Sequence, residues 1–164
     1  MAITRPLHTQ RLRLEPVTGA LALAASRGQG ALEQALDAEV DAGWRGDHIF
    51  GRARVAVDDR PRHALVVHGL DRRLIGEVRF EPLRHSAGYE IGYAIVPAYR
   101  RQGYAVEAAK AVIRALEEGG VGHIIAGCDM RNIASVRTLR RLGFTLDGSS
   151  ARSKAFWWVR RPPV

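Results

Sequence analysis

The segment Glu90-Ile91-Gly92-Tyr93-Ala94-Ile95-Val96 is largely apolar, ends at Pro97, and gives way to Ala98-Tyr99-Arg100-Arg101-Gln102-Gly103-Tyr104-Ala105. A basic, glycine-containing turn therefore opens directly into an alanine-rich stretch. Amide N–H groups at such a helix start lack intrahelical acceptors and point outward, and the helix dipole adds to their field, so the segment suits an anion such as a pyrophosphate. Gly103 lets the backbone approach phosphate oxygens without a Cβ, and the small Ala105 lets helix and sheet come close. A Pro and a Gly can also simply turn a strand into a helix, so support has to come from the rest of the chain.

The flanking elements set where this turn sits. In residues 11–16, Leu12 and Leu14 alternate with charged neighbours at the period of a half-buried strand, ended by Pro16. Thr18 can cap a short helix through about Arg27, and Gly28 and Gly30 break it before a second helix over roughly 31–42, with Leu32, Leu36 and Val40 at fourfold spacing. Residues 43–62 read as a long loop. Strands follow at 63–68, 74–80 and 89–96, joined by turns short enough for antiparallel neighbours. From Tyr104 the period becomes helical, with Ala105, Ala108, Ala109, Val112, Ile113 and Leu116 on one face up to Gly119-Gly120. A strand at 123–129 precedes a helix capped by Asn132, facing inward with Ile133, Val136, Leu139 and Leu142 and stopped by Gly143. A terminal hairpin, 144–146 with 155–159, turns around Asp147-Gly148-Ser149-Ser150. This order predicts an α+β fold in a single domain spanning 1–164: a mixed, mostly antiparallel sheet of six to seven strands flanked by helices.

A chain of 164 residues, 46% hydrophobic and 26% charged, has room for a real core and lacks the signature of disorder. Its formal charge is +8, and the excess is local: residues 1–130 carry 17 basic and 16 acidic side chains, residues 131–164 eight and one. Nearly all of it is arginine, which genome base composition explains as well as a polyanionic partner does. The lone Cys128 allows no intrachain disulfide, residues 1–8 lack the apolar core of a signal peptide, and no apolar run approaches the length of about 18 residues that spans a membrane. A cytoplasmic setting follows as the expectation.

Arg100-Arg101-Gln102-Gly103-Tyr104-Ala105 resembles the Arg/Gln-x-x-Gly-x-Gly/Ala signature of the GNAT superfamily of N-acetyltransferases, whose loop cradles the pyrophosphate of acetyl-CoA. Gly92-Tyr93-Ala94-Ile95 precedes it, and Asn132-Ile133-Ala134-Ser135 and Leu142-Gly143-Phe144 follow, similar to the family's Asn-x-x-Ser and Leu-Gly-Phe elements. Thr9-Gln10-Arg11-Leu12-Arg13-Leu14 and Leu74-Ile75-Gly76-Glu77 resemble its branch of ribosomal-protein N-terminal acetyltransferases, the RimJ/RimL-like proteins. The likeness covers about residues 9–160.

That resemblance implies that strands 89–96 and 123–129 splay apart and receive the pantetheine arm as an extra strand. Backbone groups of Ile95 and Val96 pair with it, and a main-chain N–H there acts as oxyanion donor to the thioester. Arg100, Arg101, Gln102, Gly103, Tyr104 and Ala105 hold the pyrophosphate, and no metal is implied. Transfer to the amine is direct, so Cys128 reads as a small apolar strand residue and not as a nucleophile. Glu90 stands where many relatives have a glutamate that accepts the amine proton; its other reading is an ordinary solvent-facing glutamate. Leu139 departs from the family, many of whose members carry a tyrosine seven residues after the asparagine. Ser135 occupies the position of the branch's proposed proton donor, or is a hydroxyl in a first helical turn. Asn132 is a cap, or a cap that also reaches pantetheine. Arg140-Arg141 replaces a common Glu-Lys, and with Arg137 it forms a basic face that complements the helix dipole or meets the 3′-phosphate of CoA or an acidic partner.

The expected activity is therefore acetyl-CoA-dependent N-acetylation of a primary amine on a protein N-terminus or a small molecule. The alternative is a non-catalytic basic module that binds RNA or the ribosome, for which the phosphate-loop pattern has no use. Trp157-Trp158 would serve such a module as a stacking platform, but strand alternation sends them to opposite faces; an exposed one suits a homodimer contact. The resemblance implies that acceptor choice falls to roughly residues 18–62 and 82–88, where Glu33, Asp37, Asp41, Asp47, Asp58 and Asp59 predict an amine or cationic acceptor drawn to local acidity.

Overall fold

The computed structural model describes residues 3–46, 49, 60–150 and 154–162. In chain order the elements are β1 (Leu7–His8), β2 (Leu12–Pro16), α1 (Gly19–Ser26), α2 (Gln29–Leu36), β3 (Glu39–Val40), β4 (His63–His68), β5 (Arg73–Pro82) and β6 (Gly88–Ile95). A 3-10 turn (Pro97–Tyr99) leads to α3 (Tyr104–Glu118), β7 (His123–Asp129), α4 (Ile133–Arg141), β8 (Thr145–Ser150) and β9 (Ala155–Arg160). They form one sheet in the order β1-β2-β4-β5-β6-β7-β9-β8, with β3 beside β5. Only β3 with β5 and β6 with β7 are parallel among the described pairings, so the expected mixed, mostly antiparallel α+β architecture is the one seen.

Both faces of the sheet centre are covered. Ala64 and Val66 of β4 join Val78, Phe80 and Ile91 under the apolar face of α3, while Leu65 and Val67 join Leu74 under Leu21 of α1 and Leu32 and Leu36 of α2. A strand buried on both sides reads as a continuous apolar run, which is the pattern of Ala64-Leu65-Val66-Val67.

Three boundaries differ from expectation. The sheet has nine described strands, because β1 and β3 are two-residue ladders too short to show an alternation. α2 stops at Leu36 instead of near 42: Asp37 takes a left-handed conformation at φ 50°, its N–H returns to the helix end, and Val40 enters β3 beside Leu74. The terminal strand β8 runs through Ser150, since the turn-prone Asp147 is absorbed as a bulge between Leu146 and Gly148 and does not reverse the chain.

The start of α3 is tied to the N-terminal strand by one carboxylate. Glu107 Oε1 accepts from Thr9 Oγ1 at 2.6 Å and from the Arg11 backbone N–H at 2.9 Å, and its Oε2 accepts from Arg11 Nε at 2.7 Å. Burial pushes the Glu107 carboxyl up, but these hydrogen bonds and the Arg11 charge outweigh it and hold the group below its ordinary 4.5. Glu107→Gln should therefore cost about 1.5–3 kcal/mol in urea unfolding at neutral pH. Because the folded-state value is depressed, the wild type's advantage is fully present above pH 4.5 and fades as pH falls through the lowered value, so the stabilities of the two proteins should converge in acid.

Candidate active site

β6 and β7 pair only from Gly88 with His123 to Glu90 with Ile125. Beyond that point β6 stays paired with β5 and β7 with β9, yet not with each other. The gap holds a cavity of about 290 Å³ whose lining includes Ile91, Tyr93, Cys128, Asn132, Ser135 and Leu139. The Val96 N–H donates to the Ile75 carbonyl at 2.8 Å. By the alternation of an antiparallel ladder, the backbone groups of Ala94 and Gly92 then also face β5, and those of Ile91, Tyr93 and Ile95 face the gap. This corrects the role expected of Val96: its N–H is committed to β5 and does not meet a partner in the gap, whereas Tyr93 and Ile95 can. The Ile95 carbonyl also accepts from Arg100 Nε at 2.8 Å.

The turn after Pro97 has the expected build. The first helical bond of α3 runs from the Glu107 N–H to the Gly103 carbonyl at 3.0 Å, so the amides of Tyr104, Ala105 and Val106 have no helical acceptor. Arg100, Arg101, Gln102 and Gly103 are exposed. Gly103 has φ 85°, and a Cβ there would meet only Arg11 Nη2, at 3.5 Å, so it is the left-handed backbone and not crowding that calls for glycine. The Tyr104 side chain is buried in the core and turns away from the loop's open side. Arg100 braces the end of β6 through Ile95, and the Gln102 carbonyl accepts from Arg11 Nη1 at 3.1 Å.

Asn132 caps α4, its Oδ1 accepting from the Ser135 N–H at 3.0 Å. The Ser135 hydroxyl lies 3.2 Å from the Tyr93 hydroxyl. Burial is the leading influence on the Tyr93 phenol and raises it above its ordinary 10.0, against hydrogen bonds to Ser135 and Thr138 that lower it. Tyr93 is thus a protonated hydroxyl in the cavity, delivered by a strand and not by α4, where Leu139 is buried. Sequence reasoning missed this role, although Tyr93 stood inside a quoted motif, because nothing local links it to Ser135. Ile133, expected on the inner face of α4, is 55% exposed.

Glu90 is the last β6 residue paired with β7, and its Oε1 accepts from Arg79 Nη2 at 2.6 Å. Glu77 faces Ala94 across the ladder and Glu81 faces Glu90, so these acids share one side of the sheet, opposite to Tyr93. Glu77 is only 7% exposed and accepts from Trp44 Nε1 at 3.2 Å; nothing in the sequence pattern marked it as buried. Cys128 is a buried strand residue, as expected, and also lines the cavity.

Of the described acids expected to attract the acceptor, Asp37 and Asp41 face arginines: Asp37 pairs with Arg72, and Arg73 pairs with Glu39 at 2.7 Å and Asp41 at 3.9 Å, around an open depression of about 540 Å³. Glu33 instead accepts from Gln29 Nε2 at 2.9 Å and the Val40 N–H at 3.0 Å and keeps its charge beside the same depression. Asp47, Asp58 and Asp59 lie outside the described residues. Trp157 is 40% exposed and Trp158 3%, the opposite-face arrangement expected of neighbours on a strand. Ser135→Ala should raise the Tyr93 titration midpoint further, since the Ser135 hydrogen bond lowers it; phenolate absorbance, taken as a difference from Tyr93→Phe, reads the shift.

A family model for the acetyltransferase (GNAT) domain matches residues 11–145. YjdG of Bacillus subtilis (strain 168), an uncharacterized N-acetyltransferase, is 30% identical over 165 residues, covering 94% of this chain and 98% of the relative. Among solved structures, a GNAT-family acetyltransferase from Bacillus anthracis matches with a TM-score of 0.68 at 18% identity, over 96% of this chain and 98% of that one. RimL, a ribosomal α-N-protein acetyltransferase in complex with coenzyme A, matches with a TM-score of 0.67 at 17% identity over the same shares of the two chains.

Proposed function

The chain belongs to the GNAT acetyltransferase family and is an N-acetyltransferase, and from that premise we propose that it moves an acetyl group from acetyl-CoA directly to a primary amine. The observation that carries this reading is the parting of β6 and β7 beyond Glu90 and Ile125, with an amide-lined helix start at the far end of β6. Bound there, acetyl-CoA supplies the acetyl group as a thioester with a good leaving group.

The chain's own groups divide the work along β6. Amides at the start of α3 receive the pyrophosphate, with the charge of Glu107 already balanced by Arg11. Tyr93 and Ile95 offer backbone groups to an extended arm lying in the gap. From Ile95 back to Ile91 the strand rises about 13 Å at roughly 3.3 Å per residue, which carries such an arm to the cavity beside Ser135. The Tyr93 N–H then takes the oxyanion role expected of a main-chain N–H at Ile95 and Val96, stabilising negative charge on the carbonyl oxygen. The amine enters from the side of Glu77 and Glu90. Glu90 accepts its proton as the C–N bond forms and later releases it to solvent, while Ser135 passes a proton to the departing sulfur as the C–S bond breaks and takes one from the Tyr93 hydroxyl, which solvent reprotonates before the next turnover. Asn132 holds Ser135 in place through the cap and is within the same cavity.

The acceptor is a protein N-terminus or a small-molecule amine; RimL's action on a ribosomal protein puts N-terminal peptides first among acceptors to try. Acetyl-CoA at a hundred times its Kd should stabilise the protein by about 2.7 kcal/mol. Glu90→Gln should lower kcat by about 10²-fold or more, and Ser135→Ala should lower it less, in an assay of free CoA release over a panel of peptides, polyamines and aminoglycosides. No thermal shift and no calorimetric heat with acetyl-CoA would refute the proposal. The RimL complex contains CoA in a disulfide with a cysteine, and Cys128 lines the cavity at the expected thiol end. CoA disulfide should accordingly exchange with Cys128, giving Cys128–S–S–CoA and free CoA by intact mass, and acetyl-CoA should protect against it.

A further inference from the structure

Two tyrosines bracket the donor loop, Tyr99 in the 3-10 turn before it and Tyr104 at the first position of α3, and one turn elsewhere in the sheet holds both. That turn joins β4 to β5. Tyr99 donates its hydroxyl to Asp71 Oδ2 at 2.6 Å, and the Tyr104 hydroxyl lies 3.0 Å from His68 Nε2. The Asp71 backbone N–H donates to His68 Nδ1 at 3.2 Å. Asp71 Oδ2 also stands 3.1 Å from Nδ1. His68 Nδ1 thus faces both a donor and, in the Asp71 carboxylate, an acceptor, and the Tyr104 hydroxyl meets either protonation state of Nε2, accepting from it or donating to it.

The three rings close into a triangle, with centroid separations of 5.6 Å for His68–Tyr99, 5.2 Å for His68–Tyr104 and 6.1 Å for Tyr99–Tyr104. The Arg11 guanidinium lies 4.3 Å from the Tyr104 ring centroid. His68 and Tyr104 are both buried, so breaking their contact leaves polar groups unsatisfied. Between the two tyrosines, Arg101 holds φ 63°, a left-handed conformation that persists in a non-glycine residue only when its surroundings impose it.

We propose that His68 is a positioning residue for donor binding. With Asp71 it fixes Tyr99 and Tyr104, and through them the direction of the amides of residues 101–105, so that a pyrophosphate meets donors already aligned. This rests on the reading that the loop holds acetyl-CoA. His68 faces the core side of the loop, away from the cavity of Tyr93 and Ser135, so it governs donor affinity and leaves the chemistry to other groups.

The test compares wild type, His68→Leu, His68→Gln and Tyr104→Phe, using the calorimetric Kd for CoA and the kinetics of acetyl-CoA and acetyl-pantetheine, which lacks the pyrophosphate. His68→Leu should weaken CoA binding by about fivefold or more, raise KM for acetyl-CoA more than it lowers kcat, and impair acetyl-pantetheine less than acetyl-CoA. His68→Gln, whose amide offers the Tyr104 hydroxyl both a donor and an acceptor, should recover most of the loss. Tyr104→Phe removes one hydroxyl with its ring retained, and carries the same comparison should His68→Leu not fold. Equal losses with both donors, or variants that bind CoA as wild type does, overturn the proposal alone. A wild type that binds no CoA overturns the donor reading and this proposal with it.

Discussion

A strand inside a sheet can leave one neighbour only while the other still satisfies its backbone, and the candidate site follows from that constraint. β5 accompanies β6 to Ile95 and β9 accompanies β7 to Asp129, so the two central strands part without either losing its place. Each is left with backbone groups facing a gap that an extended chain can fill. Such a gap open to water on both sides invites unwanted pairing. Here α4 lies beside it, with Leu139 in the cavity wall, which makes the opening a shaped cleft.

The α3 end of the cleft is held from a distance. Arg11 comes from beside β2, yet it pairs with Glu107, donates to the Gln102 carbonyl and lies against the Tyr104 ring. Its hydrogen bonds to the part-buried Glu107 carboxylate lend stability, and the pair has an electrostatic use besides: an acid in the first turn of α3 would repel a phosphate, and Arg11 cancels that charge while fixing the loop. The His68–Asp71 turn braces the same loop from β4 and β5, so the amides at the start of α3 stand on a scaffold supported from two directions.

What was legible in the chain, and what was not, divides by range. The turn at residues 97–105 could be read because Pro97, Gly103 and the switch to helical period lie within a few positions of one another. The caps of Thr18 and Asn132 are equally local, and both are seen. The end of α2 was not legible, since an aspartate and not a glycine takes the left-handed cap, and Val40 is drawn into a ladder by Leu74. The Tyr93–Ser135 contact joins residues 42 apart and the Tyr104–His68 contact residues 36 apart. Neither leaves a period or spacing in the sequence. Val96 was assigned to the wrong side of its strand because alternation fixes sidedness only once the register with β5 is known.

The same distinction changes the meaning of the basic C-terminal stretch. Counted along the chain, residues 131–164 are strongly positive and residues 1–130 nearly neutral. In space the boundary dissolves: Arg160 pairs with Glu117 at 2.7 Å and Arg131 with Asp129 at 3.3 Å, so acids counted in one segment neutralise bases counted in the other. Arg160 also donates to the Leu142 carbonyl at 2.8 Å, anchoring the last strand to the end of α4. Arg140 lies 5.9 Å from the Trp158 ring centroid, where its charge serves packing. Arg140 and Arg141 both fall in the last turn of α4, where positive charge complements the helix dipole. Part of the apparent polyanion signal is therefore structural, and the amides of Tyr104, Ala105 and Val106, without helical acceptors at the start of α3, give an anion a place to bind that needs no arginine-rich segment.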